Sequence, residues 1–225
     1  MRGAELKSCV AAAVMLASGA AAANGQVIFS NLDANDSSGN FIGYSITGSN
    51  NPSVADEFSF AFAFDVAGGN FQLDSLELVA FAANAGPGGP DQTGTMEVTL
   101  FADNGGVPGA PLETISAFVD IFNPTPDDFF LPLITFESST NPDLLDGQTY
   151  WVGASSATDT AFFSWAGTSP PAPGQAARMV NGAPWEAIAP FPNNGVAAFR
   201  VNAIPAPGAG LLVAAGGVLA TRRRR

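Results

Sequence analysis

The chain has 225 residues, of which 47% are hydrophobic and 12% are charged, and 20 acidic residues outnumber eight basic ones. The formal net charge of −12 repels phosphate backbones and argues against nucleic acid as a partner. Histidine is absent and there is one cysteine, near the N-terminus, which excludes Ser-His-Asp triads and argues against cysteine nucleophiles and zinc sites.

Residues 1–23 have the pattern of a cleaved secretory signal peptide. Two basic residues precede the apolar stretch CVAAAVMLASGA, which is too short to span a bilayer, and Ala21-Ala22-Ala23 supplies the small residues of a cleavage site. We predict that the protein is exported and that the mature chain begins near Asn24. Because Cys9 lies inside the predicted signal, the mature chain has no disulfide and must be held together by burial.

The charge becomes more one-sided in the predicted body of the protein, residues 24–203. This region contains 19 acidic residues and two basic ones, Arg178 and Arg200, which gives a formal charge of about −17. This excess favours solubility, and the alternative is that some of the carboxylates bind a divalent cation.

The segment DANDSSGN contains the candidate ligands for such a cation. Asp33, Asn35 and Asp36 are closely spaced oxygen donors and are weak candidates for a Ca²⁺ site. An EF-hand loop would place a glutamate at its twelfth position, where Tyr44 stands instead. The alternative is that these residues form ordinary Asx turns. No other cofactor is predicted.

Apolar residues in the body alternate with a period of two, which is typical of half-buried strands. EFSFAFAFDV places four phenylalanines on one face, SLELVAF and TMEVTLFA alternate in the same way, and TYWVGAS, TAFFSW and VAAFRVN do so less regularly. Segments rich in turn formers, such as DNGGVPGAP and NPDLLDGQ, separate these runs, and DNGG at Asp103 is typical of a tight hairpin. Ten or eleven such strands predict an all-β fold, an antiparallel β-sandwich of jelly-roll type.

Four aromatic residues are candidates for stacking on sugar rings. Neighbouring side chains in TYWVGAS point to opposite faces of a strand, so at least one aromatic of its Tyr-Trp pair can be exposed. The alternative is that these rings belong to the core. The candidates are Tyr150, Trp151, Trp165 and Trp185.

Catalysis by paired carboxylates is the one enzymatic mechanism left by elimination. Asp127-Asp128 reads as a turn leading into a strand, and the triplet Asp159-Thr160-Ala161 has no second copy of the kind an aspartic-protease site needs. We therefore predict that the protein is not an enzyme.

The C-terminal region from Ile204 has three parts: a Pro-Ala-Pro motif, an uncharged stretch and a basic end. The stretch GAGLLVAAGGVLA would form a helix of about 20 Å against about 30 Å of hydrocarbon, which predicts a short transmembrane helix. A basic cluster is typical of the cytoplasmic side of such a segment. The residues concerned are Pro205, Ala206, Pro207, Arg222, Arg223, Arg224 and Arg225.

This layout from residue 204 to 225 resembles the PEP-CTERM sorting signal of Gram-negative bacteria, with Ala206 where that family usually has Glu. The resemblance implies transient insertion in the inner membrane, processing by a membrane-embedded, exosortase-like enzyme, and delivery to the cell surface or the extracellular matrix. A looser resemblance, carried by VADEFSF, LDSLEL, VTLFADNGGVPGAPLE and GQTYWVGASSATDTAFFSW, is to exported choice-of-anchor β domains.

We therefore expect three segments: a signal peptide at 1–23, a β-sandwich at 24–203 and a sorting signal at 204–225. The expected role is that of a non-catalytic, structural or adhesive protein on the cell surface or in an exopolysaccharide matrix. The alternative is a carbohydrate-binding module that uses Trp and Tyr stacking on extracellular polysaccharide.

Overall fold

The computed structural model describes residues 25–32, 43–82, 92–121, 131–168, 170–190 and 195–207. Within these ranges the chain forms thirteen β-strands and no helix, which confirms the predicted all-β class. Two of the strands contain only two and three residues, too few to show the alternation from which ten or eleven strands were predicted. None of the described residues belongs to a helix that could cross a membrane, and the predicted signal peptide and transmembrane helix lie outside the described ranges.

The first sheet has seven strands, and all its pairings are antiparallel. Its members are β1 (Gln26–Ser30), β2 (Gly43–Thr47), β4 (Phe71–Ala82), β7 (Leu133–Glu137), β8 (Asp143–Leu144), β10 (Phe162–Ala166) and β13 (Phe199–Pro205). The long strand β4 is its centre and pairs with β7, β8, β10 and β13.

The second sheet has six strands, also antiparallel, in the order β12-β11-β3-β9-β5-β6. Its members are β3 (Phe58–Asp65), β5 (Gly94–Asp103), β6 (Pro108–Val119), β9 (Thr149–Ser156), β11 (Ala176–Val180) and β12 (Glu186–Ile188). The second sheet therefore ends at the short strand β12 on one side and at the long strand β6 on the other.

The two sheets pack face to face around one aromatic-rich core, as an antiparallel sandwich. The ring centroid of Tyr44 in the first sheet lies 4.6 Å from that of Phe62 in the second, and Phe62 meets Trp165 edge-on at 5.0 Å. The period-two pattern explains the packing, because alternate residues of one strand face the same side. The alternating residues predicted to face inward on three of the strands are nearly all buried, namely Phe60, Phe62, Phe64, Leu76, Leu78, Ala80, Met96, Val98 and Leu100.

Both ends of the described chain lie at the same end of the first sheet. Strand β1 pairs with β13 so that Gln26 is opposite Ala203. Strand β13 continues to Pro205, which is opposite Phe71 of β4. Strand β13 therefore includes Ile204 and Pro205, the first two residues of the predicted sorting signal.

Candidate functional site

The candidate site is a groove beside the hairpin that joins β5 to β6, which we call the Trp185 groove. It has a volume of about 490 Å³. An aromatic ring, a carboxylate and a carboxamide lie along it. The residues that line it are Ala102, Asp103, Asn104, Val107, Pro108, Gly109, Ala110, Pro184 and Trp185.

The hairpin shapes one wall of this groove. Gly105 and Gly106 have φ angles of 69° and 93°, which glycine adopts at little cost, and the N–H of Asn104 donates to the carbonyl of Val107 at 2.9 Å. This geometry confirms the tight turn predicted at DNGG. The exposed carboxamide of Asn104 is thereby carried at the rim of the groove.

Asp103 is the only acidic residue among the described residues that line the groove. It accepts a hydrogen bond from the indole N–H of Trp151 at 2.8 Å, and from the backbone N–H of Gly105 and Gly106 at 3.0 and 3.1 Å. The Trp151 bond lowers the pKa of Asp103 most, slight burial opposes it, and the glycine N–H groups lower it further. A carboxylate that stays ionised is a hydrogen-bond acceptor for a ligand. Glycoside hydrolysis requires two carboxyl groups, and the described residues that line the groove supply one.

Trp185 stands over a small apolar cluster on the outer face of the second sheet. Its ring meets that of Phe101 edge-on at 5.7 Å, and both pack against buried Trp151. The alanines Ala61 and Ala177 complete the buried part of the cluster and leave room for the large rings. We call these residues, together with half-buried Ala63, the outer cluster.

The four predicted stacking aromatics therefore have different environments. Trp165 is fully buried between the sheets, where its indole N–H donates to the carbonyl of Ala198 at 3.0 Å. Trp151 is fully buried in the outer cluster, and Tyr150 is 6% exposed, with its ring stacked on Phe64 at 5.9 Å. Because their faces are covered by protein, these three rings offer no stacking platform in this structure, and the alternative of a core role applies to them. Trp185 is half-buried and lines the groove.

Of the site residues that the sequence analysis does not name, Phe101 has a sequence signal. Phe101 stands on the face of TMEVTLFA opposite the inward-facing Met96, Val98 and Leu100, so it is a large aromatic on the outer side of its strand. An aromatic residue at such a position indicates a second apolar surface. Asp103 lies two positions further along the chain, and its local sequence is that of an ordinary turn.

A smaller depression of about 300 Å³ lies on the other side of Asp103. It shares Ala102 and Asp103 with the Trp185 groove and ends at Leu145, which is 49% exposed. The two depressions thus adjoin along one end of the second sheet. A ligand longer than a single ring can contact both.

Glu113 of β6 is a buried carboxylate that joins the two sheets. It accepts four hydrogen bonds of 2.5 to 3.1 Å from the hydroxyls of Ser138 and Ser139 and the backbone N–H groups of Ser139 and Thr140. Burial opposes its ionisation, but these bonds outweigh burial and hold the pKa of Glu113 below its ordinary value. With its acceptor sites occupied, Glu113 has a structural role.

Both basic residues of the body are paired with glutamates on neighbouring strands. Arg200 lies 3.0 Å from Glu77 in a half-buried pair, and Arg178 lies 3.5 Å from Glu186 at the surface. The described surface therefore presents no cluster of basic side chains.

The remaining predicted residues fall partly outside the described ranges. The Ca²⁺ candidates Asp33, Asn35 and Asp36 and the basic end Arg222, Arg223, Arg224 and Arg225 lie outside them. Among the residues that are described, no group of three or more carboxylates is arranged to hold a metal ion. Of the Pro-Ala-Pro motif, Pro205 ends β13, Ala206 donates its N–H to the carbonyl of Asn70 at 3.1 Å, and Pro207 is exposed.

No protein-family model matches the chain, and no curated protein matches it significantly.

Proposed function

We propose that this chain is an exported, non-catalytic β-sandwich protein of jelly-roll type that acts as a structural or adhesive component of the cell surface or an exopolysaccharide matrix. The observation that carries the proposal is the pair of targeting patterns, residues 1–23 and 204–225, at the two ends of an acidic β domain. An exosortase-like enzyme of the inner membrane is the proposed processing partner, and the chain is held there transiently by its C-terminal helix.

The position of the two ends supports this proposal. Because Gln26 pairs opposite Ala203, the chain enters and leaves the sandwich at one end of the first sheet. A domain tethered through residues beyond Pro207 would turn that end toward the membrane. The loops at the opposite end would then face outward, which suits adhesive contacts through those loops rather than through the Trp185 groove, because the groove adjoins the tethered end.

The composition supports a non-catalytic role. Between residues 24 and 203 the chain has no histidine, cysteine or lysine, so proton transfer and nucleophilic attack at neutral pH would depend on carboxylates and hydroxyls alone. The two described carboxylates with shifted pKa values, Asp103 and Glu113, are both shifted downward. A general acid at neutral pH needs the opposite shift.

The test is cell fractionation with mass spectrometry of the intact chain. We expect a surface or matrix form that lacks residues 1–23 and Arg225. Deleting residues 208–225, which leaves β13 intact, is expected to release the protein from the envelope. The matched control replaces Arg222, Arg223, Arg224 and Arg225 by lysine, which keeps the positive charge and should keep the destination. A full-length chain in the cytosol with residues 1–23 attached would contradict the proposal.

A second candidate function, carbohydrate binding, is favoured by the Trp185 groove. Half-buried Trp185 offers an aromatic surface, while Asp103 and Asn104 supply an acceptor and a carboxamide close by. Polysaccharide sites combine such stacking surfaces with a few polar groups that fix the orientation of the sugar. The ionised carboxylate and the acidic body favour neutral sugars over anionic ones.

Sedimentation of the protein with insoluble neutral polysaccharides tests this candidate. Trp185→Ala is expected to weaken binding by about tenfold, since an aromatic contact is worth up to about 1.5 kcal/mol. Val27→Ala is the matched control, because Val27 is 54% exposed but does not line the groove. Equal binding by wild type and Trp185→Ala would refute this candidate and leave the export proposal standing.

A further inference from the structure

Strand β6 is the long edge of the second sheet. It pairs with β5 on one side, and no described strand pairs with its other side. Seven consecutive residue pairs, from Gly94 opposite Val119 to Leu100 opposite Glu113, follow one another without a bulge. A regular, uninterrupted edge of this kind is a template for further pairing unless charge, proline or a covering segment blocks it.

The direction of the backbone groups on β6 follows from its neighbour β5. The N–H of Thr95 donates to the hydroxyl of Thr158, and its carbonyl accepts from the N–H of Ala157, so Thr95 faces β9. Backbone groups of successive residues in a strand point to alternate sides, so Gly94 and Met96 face β6. Val119 and Ala117, which are opposite them on β6, therefore direct their backbone groups toward β5. The alternating residues Thr114, Ser116 and Phe118 direct their N–H and carbonyl groups away from β5, toward the free edge of the sheet.

The side chains of these three residues are exposed on the outer face of the sheet, and Phe118 is 66% exposed. The segment from Thr114 to Val119 carries no charge, although the whole chain has a formal charge of −12. Only the first half of β6 contains a residue that hinders pairing with a further strand, because Pro111 has no N–H group to donate. The second half therefore combines outward backbone groups, an apolar ring and electrical neutrality.

We propose that this half of β6 pairs antiparallel with the same half-strand of a second copy, around a two-fold axis at Ser116. In this register Ser116 faces itself and Phe118 of each copy faces Thr114 of the other, an aromatic and β-branched pair of the kind that stabilises sheets. The paired segment ends before Asp120, whose carbonyl already accepts the N–H of Ala82 at 3.1 Å, so no two like charges oppose each other. The two six-stranded sheets join into one continuous sheet.

The neutrality of the segment selects a second copy as the partner. Two chains with the same strong negative charge repel each other, and they approach at least cost through a surface that carries no charge. A partner of opposite charge would instead be matched by acidic residues along the edge. The pairing is independent of the export proposal, because it depends only on the folded sandwich.

The first test is cross-linking at the proposed axis. In a Cys9→Ser background, Ser116→Cys brings two thiols to opposite strands with Cα atoms about 5.5 Å apart, within the range a disulfide spans. We expect a disulfide-linked dimer on a non-reducing gel. Ser53→Cys, at an exposed turn residue elsewhere, is the matched control and should remain monomeric. Equal yields from the two variants would overturn the proposal.

The second test is sedimentation velocity over a concentration series of the purified chain. Wild type is expected to dimerise. Ser116→Glu places two carboxylates against each other on the axis, each beside Glu97, which is opposite Ser116 on β5, and should abolish the dimer. Ser116→Thr keeps the edge neutral and should retain it. A thermal melt confirms that Ser116→Glu is folded, as expected for an exposed side chain. A wild type that stays monomeric, or a dimer that survives Ser116→Glu, would overturn the proposal.

Discussion

Two fully buried tryptophans occupy different environments in this sandwich. Trp165 lies between the sheets and donates its indole N–H to a neutral backbone carbonyl, that of Ala198, at 3.0 Å. Trp151 lies on the outer face of the second sheet and donates to the carboxylate of Asp103 at 2.8 Å. Burial alone therefore does not place a tryptophan in the core between the sheets, since an outer face can build an apolar cluster of its own.

Small residues make the outer cluster possible. Ala61 and Ala177 on neighbouring strands leave space above the sheet for Trp151, and Gly153 leaves space for the ring of Phe101. In the inner core strand β3 contributes large side chains, because Phe60 and Phe62 alternate with Ala61. The alternation of large and small residues thus sets which face carries the main core and which accepts added rings.

The largest effect is expected from Trp165→Ala. Removing a fully buried indole leaves a cavity between the sheets and an unpaired carbonyl, at a cost of about 3–5 kcal/mol in the free energy of unfolding. Chemical denaturation monitored by circular dichroism measures the change. A midpoint close to that of wild type would show that Trp165 is not part of the inner core.

A smaller loss is expected from Trp151→Phe, which keeps an aromatic ring but removes the donor to Asp103. The expected cost is about 2 kcal/mol at neutral pH, because a bond to a charged group is lost but the exposed carboxylate regains water. The folded-state pKa of Asp103 is lowered, so its contribution is present above the ordinary value of about 3.9 and is lost as the pH falls through the folded-state value.

The difference between Trp151→Phe and wild type should therefore shrink in acid. Trp165→Phe is the matched control, because its lost partner is a backbone carbonyl that does not titrate, so its cost should not depend on Asp103. Unfolding curves collected at neutral pH and at the lowest pH where wild type stays folded would separate the two. A pH-independent cost for Trp151→Phe would contradict the role assigned to Asp103.

Gly153→Ala is expected to disturb the outer cluster alone. A Cβ atom at this position would lie 2.8 Å from Cε2 of Phe101 and must displace that ring. Because Phe101 is only half-buried it can move, and the expected cost is about 1 kcal/mol. Thermal melting measures this, and reduced near-ultraviolet circular dichroism from the tryptophans would accompany it. An unchanged spectrum would contradict the proposed packing of Phe101.

The sequence predicted the inner core better than the outer cluster, for a physical reason. The inner face of β3 repeats phenylalanine at every second position, and that period alone identifies the buried side. The outer cluster assembles Phe101, Trp151 and Trp185 from three distant segments, so no local period marks it. For the same reason, the bond between Trp151 and Asp103 depends on the pairing of β5 with β9 and could not be found from either segment.

The smallest stability effect is expected from Trp185→Ala, which removes the ring that packs on the outer cluster and one wall of the Trp185 groove. The ring is half-buried and its indole covers Trp151 and Phe101, so its loss should cost about 1 kcal/mol or less in the free energy of unfolding. Denaturant titrations of Trp185→Ala and Trp165→Ala under the same conditions compare the two losses in the free energy of unfolding directly. If Trp185→Ala costs as much as Trp165→Ala, the side chain is a core residue and a stacking role for it loses its basis. A small loss keeps Trp185 available for a ligand, because a ring that contributes little to folding can be retained for binding.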